Sequence, residues 1–179
     1  MAVRVIYFVH GTTTDNEEHK STGWIPGELT EKGIKQSIAL KDQINMDEID
    51  LVISSDLKRA IDSADYTFNG LKEIYHDPRI RECNYGDLNG QDASLVIYED
   101  HIIKQFPNGE ALKDVENRVR VFCNYLKENF DGKTVAIVAH KAPQLAFEVI
   151  TKRITWEEAI KKDWRKNKAW QPGWEYIIK

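Results

Sequence analysis

Long apolar runs are missing from this sequence. The longest, Val5 to Val9 and Val135 to Ala139, reach five residues each, far short of the roughly 20 that a membrane-spanning helix needs. Cysteine is nearly absent: Cys83 and Cys123 are the only two in 179 residues. They have neither CxxC spacing nor the density of a disulfide framework, so a reducing cytoplasm is the expected setting and both read as small buried hydrophobes. An excess of positive charge is also lacking. With 25 Lys and Arg against 29 Asp and Glu the net charge is −4, which argues against a nucleic-acid-binding domain or an anionic membrane surface as partner. The strand-like V-R-V-I-Y-F-V that follows Ala2 is expected to belong to the folded domain, since it shows none of the basic segment, apolar stretch and cleavage site of a secretory leader. What remains is 41% hydrophobic and 30% charged, a globular composition of a size that suits one compact domain over residues 1–179.

Three segments rich in β-branched residues, Val3 to Val9, Leu51 to Ile53 and Thr134 to Ala139, read as strands buried on both faces. Helical stripes lie between them. Leu57, Ala60, Ile61, Ala64 and Phe68 form one, and Leu112, Val115, Val119, Phe122 and Leu126 form a stronger one. Thr30 is placed to cap a further helix running through Ile34 and Ile38 toward Ile44. Another follows Lys141, with Pro143 in its first turn, where a missing N–H costs little. Strands alternating with helices predict a three-layer α/β/α architecture around a central, mainly parallel sheet. Residues Asn84 to Gly109 are the least regular stretch and read as a loop with a short helix. Trp156, Trp164, Trp170 and Trp174 crowd the C-terminus, where they serve to pin the segment to the core, cover a substrate, or form the face of a homodimer.

In open α/β sheets, ligands bind beyond the carboxyl ends of the strands. Three strands end on residues with chemistry to offer: His10-Gly11-Thr12-Thr13, Ser54-Ser55-Asp56-Leu57-Lys58-Arg59 and His140-Lys141. Two histidines and an arginine at one sheet edge suit an anion or a phosphoryl group in transfer. Lys141 opens a helix, where its charge opposes the macrodipole unless an anion offsets both; otherwise its stem swings away into solvent. His19, His76 and His101 show no metal-ligand spacing and read as surface or loop residues.

Together these segments resemble the histidine phosphatase superfamily, whose fold is the phosphoglycerate mutase-like one. V-H-G-T-T-T-D-N at Val9 to Asn16 is similar to the family's first signature, and S-T-G-W-I-P-G-E-L-T-E-K-G at Ser21 to Gly33 to its substrate loop. S-S-D-L-K-R-A at Ser54 to Ala60 resembles the second signature, and R-E-C-N-Y-G-D-L-N-G at Arg81 to Gly90 the segment that supplies the acid. P-N-G-E-A-L at Pro107 to Leu112 and V-A-I-V-A-H at Val135 to His140 complete the order. The resemblance implies a metal-independent and cofactor-independent phosphomonoester hydrolase acting on a small phosphorylated metabolite. His10 would attack phosphorus to give a phosphohistidine, and Glu82 would protonate the leaving alkoxide and then take a proton from water. Arg59 and His140 would stabilise the phosphoryl oxygens, and Asn16, Thr22 and Gly23 would bind phosphate or substrate, with Gly11 allowing close backbone approach.

Two departures matter. Where the family places arginine before the nucleophile this chain has Val9, and the second histidine lies in A-H-K-A rather than S-H-G-G. Lys141 is the candidate to replace the lost charge, though as a point charge it lacks the fork of arginine. A mutase needs cations for a second acidic group, and Gly90 to Gly109 offers only Lys104, which favours hydrolysis. The competing reading is a weakly active or non-catalytic module that binds a phosphorylated ligand or partner. A cavity rimmed by Trp24, Tyr85 and a C-terminal tryptophan is expected to receive the rest of the substrate.

Overall fold

The computed structural model describes residues 1–167 and 173–179; Trp170 lies outside them. Five strands form the main sheet: β1 (Val3–Val9), β3 (Leu51–Ser54), β4 (Ile74–His76), β6 (Thr134–Ala139) and β7 (Trp174–Ile178), in the order β4-β3-β6-β1-β7. All neighbours are parallel except β7, which runs antiparallel to β1. The short strands β2 (Lys20–Ser21) and β5 (Gln91–Asp92) pair separately.

Side chains alternate across the sheet. Val3, Val5 and Tyr7 of β1 join Val135, Ile137 and Ala139 of β6 in one core, while Phe8, Ala136 and Val138 face a second. The first core is closed by α4 (Leu112–Asn129), α5 (Lys141–Lys152) and α6 (Trp156–Lys161). The second is closed by α3 (Lys58–Phe68), whose partner α2 (Glu31–Ala39) follows the one-turn α1 (Thr14–Glu17). Helices on both faces of a mostly parallel sheet make the three-layer architecture that the strand and helix patterns predict.

The Thr30 cap is present, its hydroxyl accepting from Gly33 N, but α2 ends at Ala39 and passes into a 3₁₀ turn before Ile44. Residues 84–109 form a loop with short 3₁₀ helices at Gly86–Leu88, Ala93–Leu95 and Tyr98–His101. Strands β4 and β7 are additions to the sequence reading. Trp156 is buried in α6 and donates its indole N–H to Glu116, so that tryptophan pins the segment to the core. Both cysteines are free and buried; burial pushes the Cys123 thiol up to about 12. Among the described residues no helix is long and apolar enough to cross a membrane.

Candidate active site

Register places the two histidines side by side. β1 pairs with β6 so that Val9 lies opposite Ala139, and the next residue on each strand is a histidine. The His10 and His140 rings therefore sit 5.2 Å apart. Tyr7 locks the second position, its hydroxyl donating to His140 O at 2.7 Å and accepting from His140 N at 3.1 Å.

The tautomer of His10 follows from its neighbours. Nδ1 lies 2.8 Å from Gly11 O, which can only accept, so Nδ1 carries the proton. Nε2 is left with its lone pair and faces Arg59 Nε at 3.3 Å. Burial, then the Arg59 charge, lower the His10 pKa to about 3, so the ring is neutral at working pH. His140 is also held well below the ordinary histidine value, first by burial and then by Arg59. It is completely buried behind His10, outside the cavity wall, and neither ring nitrogen has a hydrogen-bond partner.

Arg59 reaches this point from the first turn of α3. Its Nη1 donates to Ile25 O at 2.7 Å and its Nη2 to Gly23 O at 2.7 Å, so backbone carbonyls of the 22–27 loop hold a guanidinium that is only 1% exposed. Gly23 adopts φ +57, and a Cβ there would fall 1.8 Å from Asn89 Oδ1; glycine is required for the loop to turn its carbonyl to Arg59. The same face of α3 carries Ser63, which accepts from Gly11 N at 3.0 Å. The crowding at Gly11 comes from α2, since an added Cβ would meet Gly33 O at 2.4 Å. Its amide therefore belongs to the scaffold beneath His10.

Glu82 is held by both ends. Its carbonyl accepts from Arg118 Nη2 at 2.9 Å and Trp24 Nε1 at 2.7 Å. Its Oε1 accepts from Cys83 N at 2.8 Å and from Ala142 N at 3.0 Å. Ala142 belongs to the first turn of α5, so a carboxyl oxygen of the chain itself already accepts at that helix N-terminus. Lys141 needs no external anion there. Its Nζ turns instead to Asp163 at 3.6 Å and to the Tyr98 ring at 4.5 Å.

These groups face one cavity of about 440 Å³, lined by His10, Gly11, Asn16, Thr22, Gly23, Arg59, Glu82 and Lys141 among others. Asn16 spends its Oδ1 on the Thr13 amide in a capping box, which leaves its Nδ2 to donate. Val9 lies in the wall and brings no charge. Tyr85, Trp164 and Trp174 line the cavity, whereas Trp24 does not, because its indole is committed to Glu82 O and stacks under Arg81 at 4.8 Å. Sequence reasoning missed Ser63, Arg118 and Arg165. Ser63 and Arg118 act through long-range backbone contacts that no motif marks, and Arg165 lies within the Trp-rich stretch without a strand before it. Among the described residues no three His, Cys, Asp or Glu side chains are grouped as ligands of a metal would be.

The set can attack an electrophile with an imidazole nitrogen, hold an anion with a guanidinium, and move a proton through a carboxyl. Similar proteins carry related names. The solved structure of Bacillus stearothermophilus YhfR superposes with a TM-score of 0.79 at 27% identity, over 88% of this chain and 84% of that one. Phosphoserine phosphatase 1 of Hydrogenobacter thermophilus is 26% identical over 156 residues, 80% of this chain and 74% of the relative. The 2,3-bisphosphoglycerate-dependent phosphoglycerate mutase of Bartonella tribocorum is also 26% identical, over 91% of this chain and 88% of its own length. Since the family model described as histidine phosphatase superfamily (branch 1) matches residues 6–157, a span that holds His10, Arg59, Glu82 and His140, the chain belongs to that superfamily.

Proposed function

We propose that the protein is a metal-independent phosphomonoester hydrolase that works through a phosphohistidine on His10, with a small phosphorylated metabolite as substrate. The observation that carries this reading is the fixed tautomer of His10. A neutral ring whose Nδ1 proton is tied to Gly11 O presents the lone pair of Nε2 to the cavity, beside Arg59.

In the first step Nε2 attacks phosphorus, the P–O bond to the alcohol breaks, and Glu82 gives the leaving oxygen a proton through Oε2, the oxygen not spent on Cys83 and Ala142. In the second, Glu82 takes a proton from water as the water oxygen attacks phosphorus, and the P–N bond to His10 breaks to release phosphate. Arg59 turns its Nε from the free ring to the phosphoryl oxygens. The one N–H of the neutral His140 ring favours an added acceptor, because a buried polar group without a partner costs about 1–3 kcal/mol. Asn16 Nδ2 and the Thr22-Gly23 loop border the position such a group would take.

Hydrolysis is favoured over transfer between two sites by the composition of the cavity. Residues 90–109 contribute Ala93 to its wall and no cation, so that segment offers nothing to hold a second phosphate; the cavity's cations besides Arg59 are Lys20, Lys141 and Arg165. The test is release of inorganic phosphate from a panel of phosphomonoesters in the presence of chelator. Wild-type protein should turn over and His10→Ala should not. Equal rates in the two, or turnover that chelator abolishes, would contradict the proposal.

A further inference from the structure

Four buried side-chain nitrogens lack a hydrogen-bond partner among the described residues: both ring nitrogens of His140, Trp164 Nε1 and Arg165 Nη2. Three residues supply all of them. Trp164 and Arg165 line the cavity, and His140 lies directly behind His10. Buried groups left in this state are uncommon and costly, and the two that belong to cavity-lining residues, Trp164 Nε1 and Arg165 Nη2, point to a ligand that satisfies them. The indole N–H and the guanidinium nitrogen only donate, so that ligand must bring acceptors.

The turn Trp164–Asn167 holds Arg165 in place. Nη1 donates to Asp163 Oδ1 at 2.9 Å and to Gln144 Oε1 at 3.0 Å. The guanidinium carbon lies 5.1 Å from the Trp164 ring and 5.2 Å from the Trp174 ring. One edge of the fork is thus fixed by protein and the other is free. Arg59 differs, since its nitrogens are engaged by Gly23, Ile25, Pro26 and His10. The Arg165 charge also reaches the nucleophile, helping to lower the His10 pKa after burial and Arg59.

We propose that Arg165 is a phosphoryl-binding residue, its Nη2 donating to a non-bridging oxygen of the group bound at His10, with Trp164 Nε1 donating beside it. This rests on the proposed function for the identity of the bound group. The C-terminal segment, not Lys141, then supplies the second guanidinium-type contact that the neutral Val9 cannot make. Lys141 and Arg165 share Asp163, which keeps the pair of cations from repelling each other out of the cavity.

Affinity for orthophosphate and orthovanadate, measured by titration calorimetry on wild-type protein, Arg165→Lys and Trp164→Phe, tests this directly. Arg165→Lys keeps a cation for Asp163 but loses the free edge of the fork. It should melt like wild type, bind both anions about ten- to a hundred-fold more weakly, and lose kcat/KM by a similar factor on p-nitrophenyl phosphate. Trp164→Phe should show a smaller loss in the same direction. Unchanged anion affinity in a folded Arg165→Lys protein would overturn the assignment. So would a loss confined to substrates with a second acidic group, which would place Arg165 on another part of the substrate. If wild-type protein hydrolyses nothing yet binds phosphate in a way that depends on Arg165, this inference stands while the hydrolase reading fails.

Discussion

Tyr7 shows how one hydroxyl can position a residue 133 positions away in sequence. It both donates to and accepts from the His140 backbone in a fully buried site. Tyr7→Phe leaves His140 N without a partner, and about 1–3 kcal/mol of stability should be lost. Urea unfolding measures that cost, and kcat should fall with it; loss of stability with unchanged kcat would make the clamp purely structural. A second consequence concerns pH. His10 titrates near 3 in the folded chain against an ordinary value of 6.5. Between those values the unfolded chain binds a proton that the folded one does not, so its contribution to stability is full above pH 6.5 and is lost as pH falls toward 3. His140 is displaced in the same direction. The unfolding midpoint should therefore drop between about pH 7 and pH 5, with a shallower drop in His10→Asn. Equal slopes in the two proteins would show that His10 is not buried against charge as described. At this scale the sequence was informative where a motif names a side chain. His10, Arg59, Glu82 and His140 were all legible; the first three line the cavity and His140 packs behind His10. Arg165 was not, because what makes it notable is an unpartnered nitrogen, a property of packing.

Elements bring these residues together through close backbone crossings and carbonyl clamps. Where the loop after β1 passes α2, an added Cβ on Gly33 would lie 2.1 Å from Thr12 O and 2.8 Å from Thr12 N. Gly33→Ala must push that loop away and should cost about 1–3 kcal/mol, with kcat reduced because the loop begins at His10. Full activity in this variant would mean that the crossing does not position the nucleophile. On the opposite side, Arg118 of α4 donates to Arg79 O, Arg81 O and Glu82 O and pairs with Glu110 at 2.9 Å. Lysine cannot reproduce that fork, so Arg118→Lys should lose about 2–3 kcal/mol and lower kcat more than it raises KM. The elements that sequence revealed are those with long, unbroken signals: β1, β3, β6, α3, α4 and α5. β7 was hidden because its alternation of buried Trp174, Tyr176 and Ile178 with exposed partners lies within a Trp-rich stretch that reads equally well as a docking segment. β4 is three residues at the sheet edge with little burial, too short for a periodic signal.

For the whole molecule, the order β4-β3-β6-β1-β7 puts β6 and β1 in the centre, and both end in the histidines. A parallel sheet aligns all its carboxyl ends on one side, so the site gathers there without any further instruction from the loops. That much was readable from strand patterns and the residues that follow them. The antiparallel return of β7 was not, yet it brings Trp174 beside Tyr7, and the preceding turn brings Trp164 and Arg165 to the cavity. The proposed reaction runs through a covalent intermediate at one atom, His10 Nε2. The most direct measurement is to mix enzyme with a turned-over phosphomonoester, quench in base to preserve phosphoramidate bonds, and map the phosphoryl group by peptide mass spectrometry. The group should sit on His10 in the wild-type chain, be absent from His10→Ala, and accumulate in a Glu82→Gln variant given p-nitrophenyl phosphate, whose leaving group departs without a proton from Glu82 while the second step lacks its base. A phosphoryl group on any other residue, or turnover with no trapped intermediate in Glu82→Gln, would contradict the mechanism.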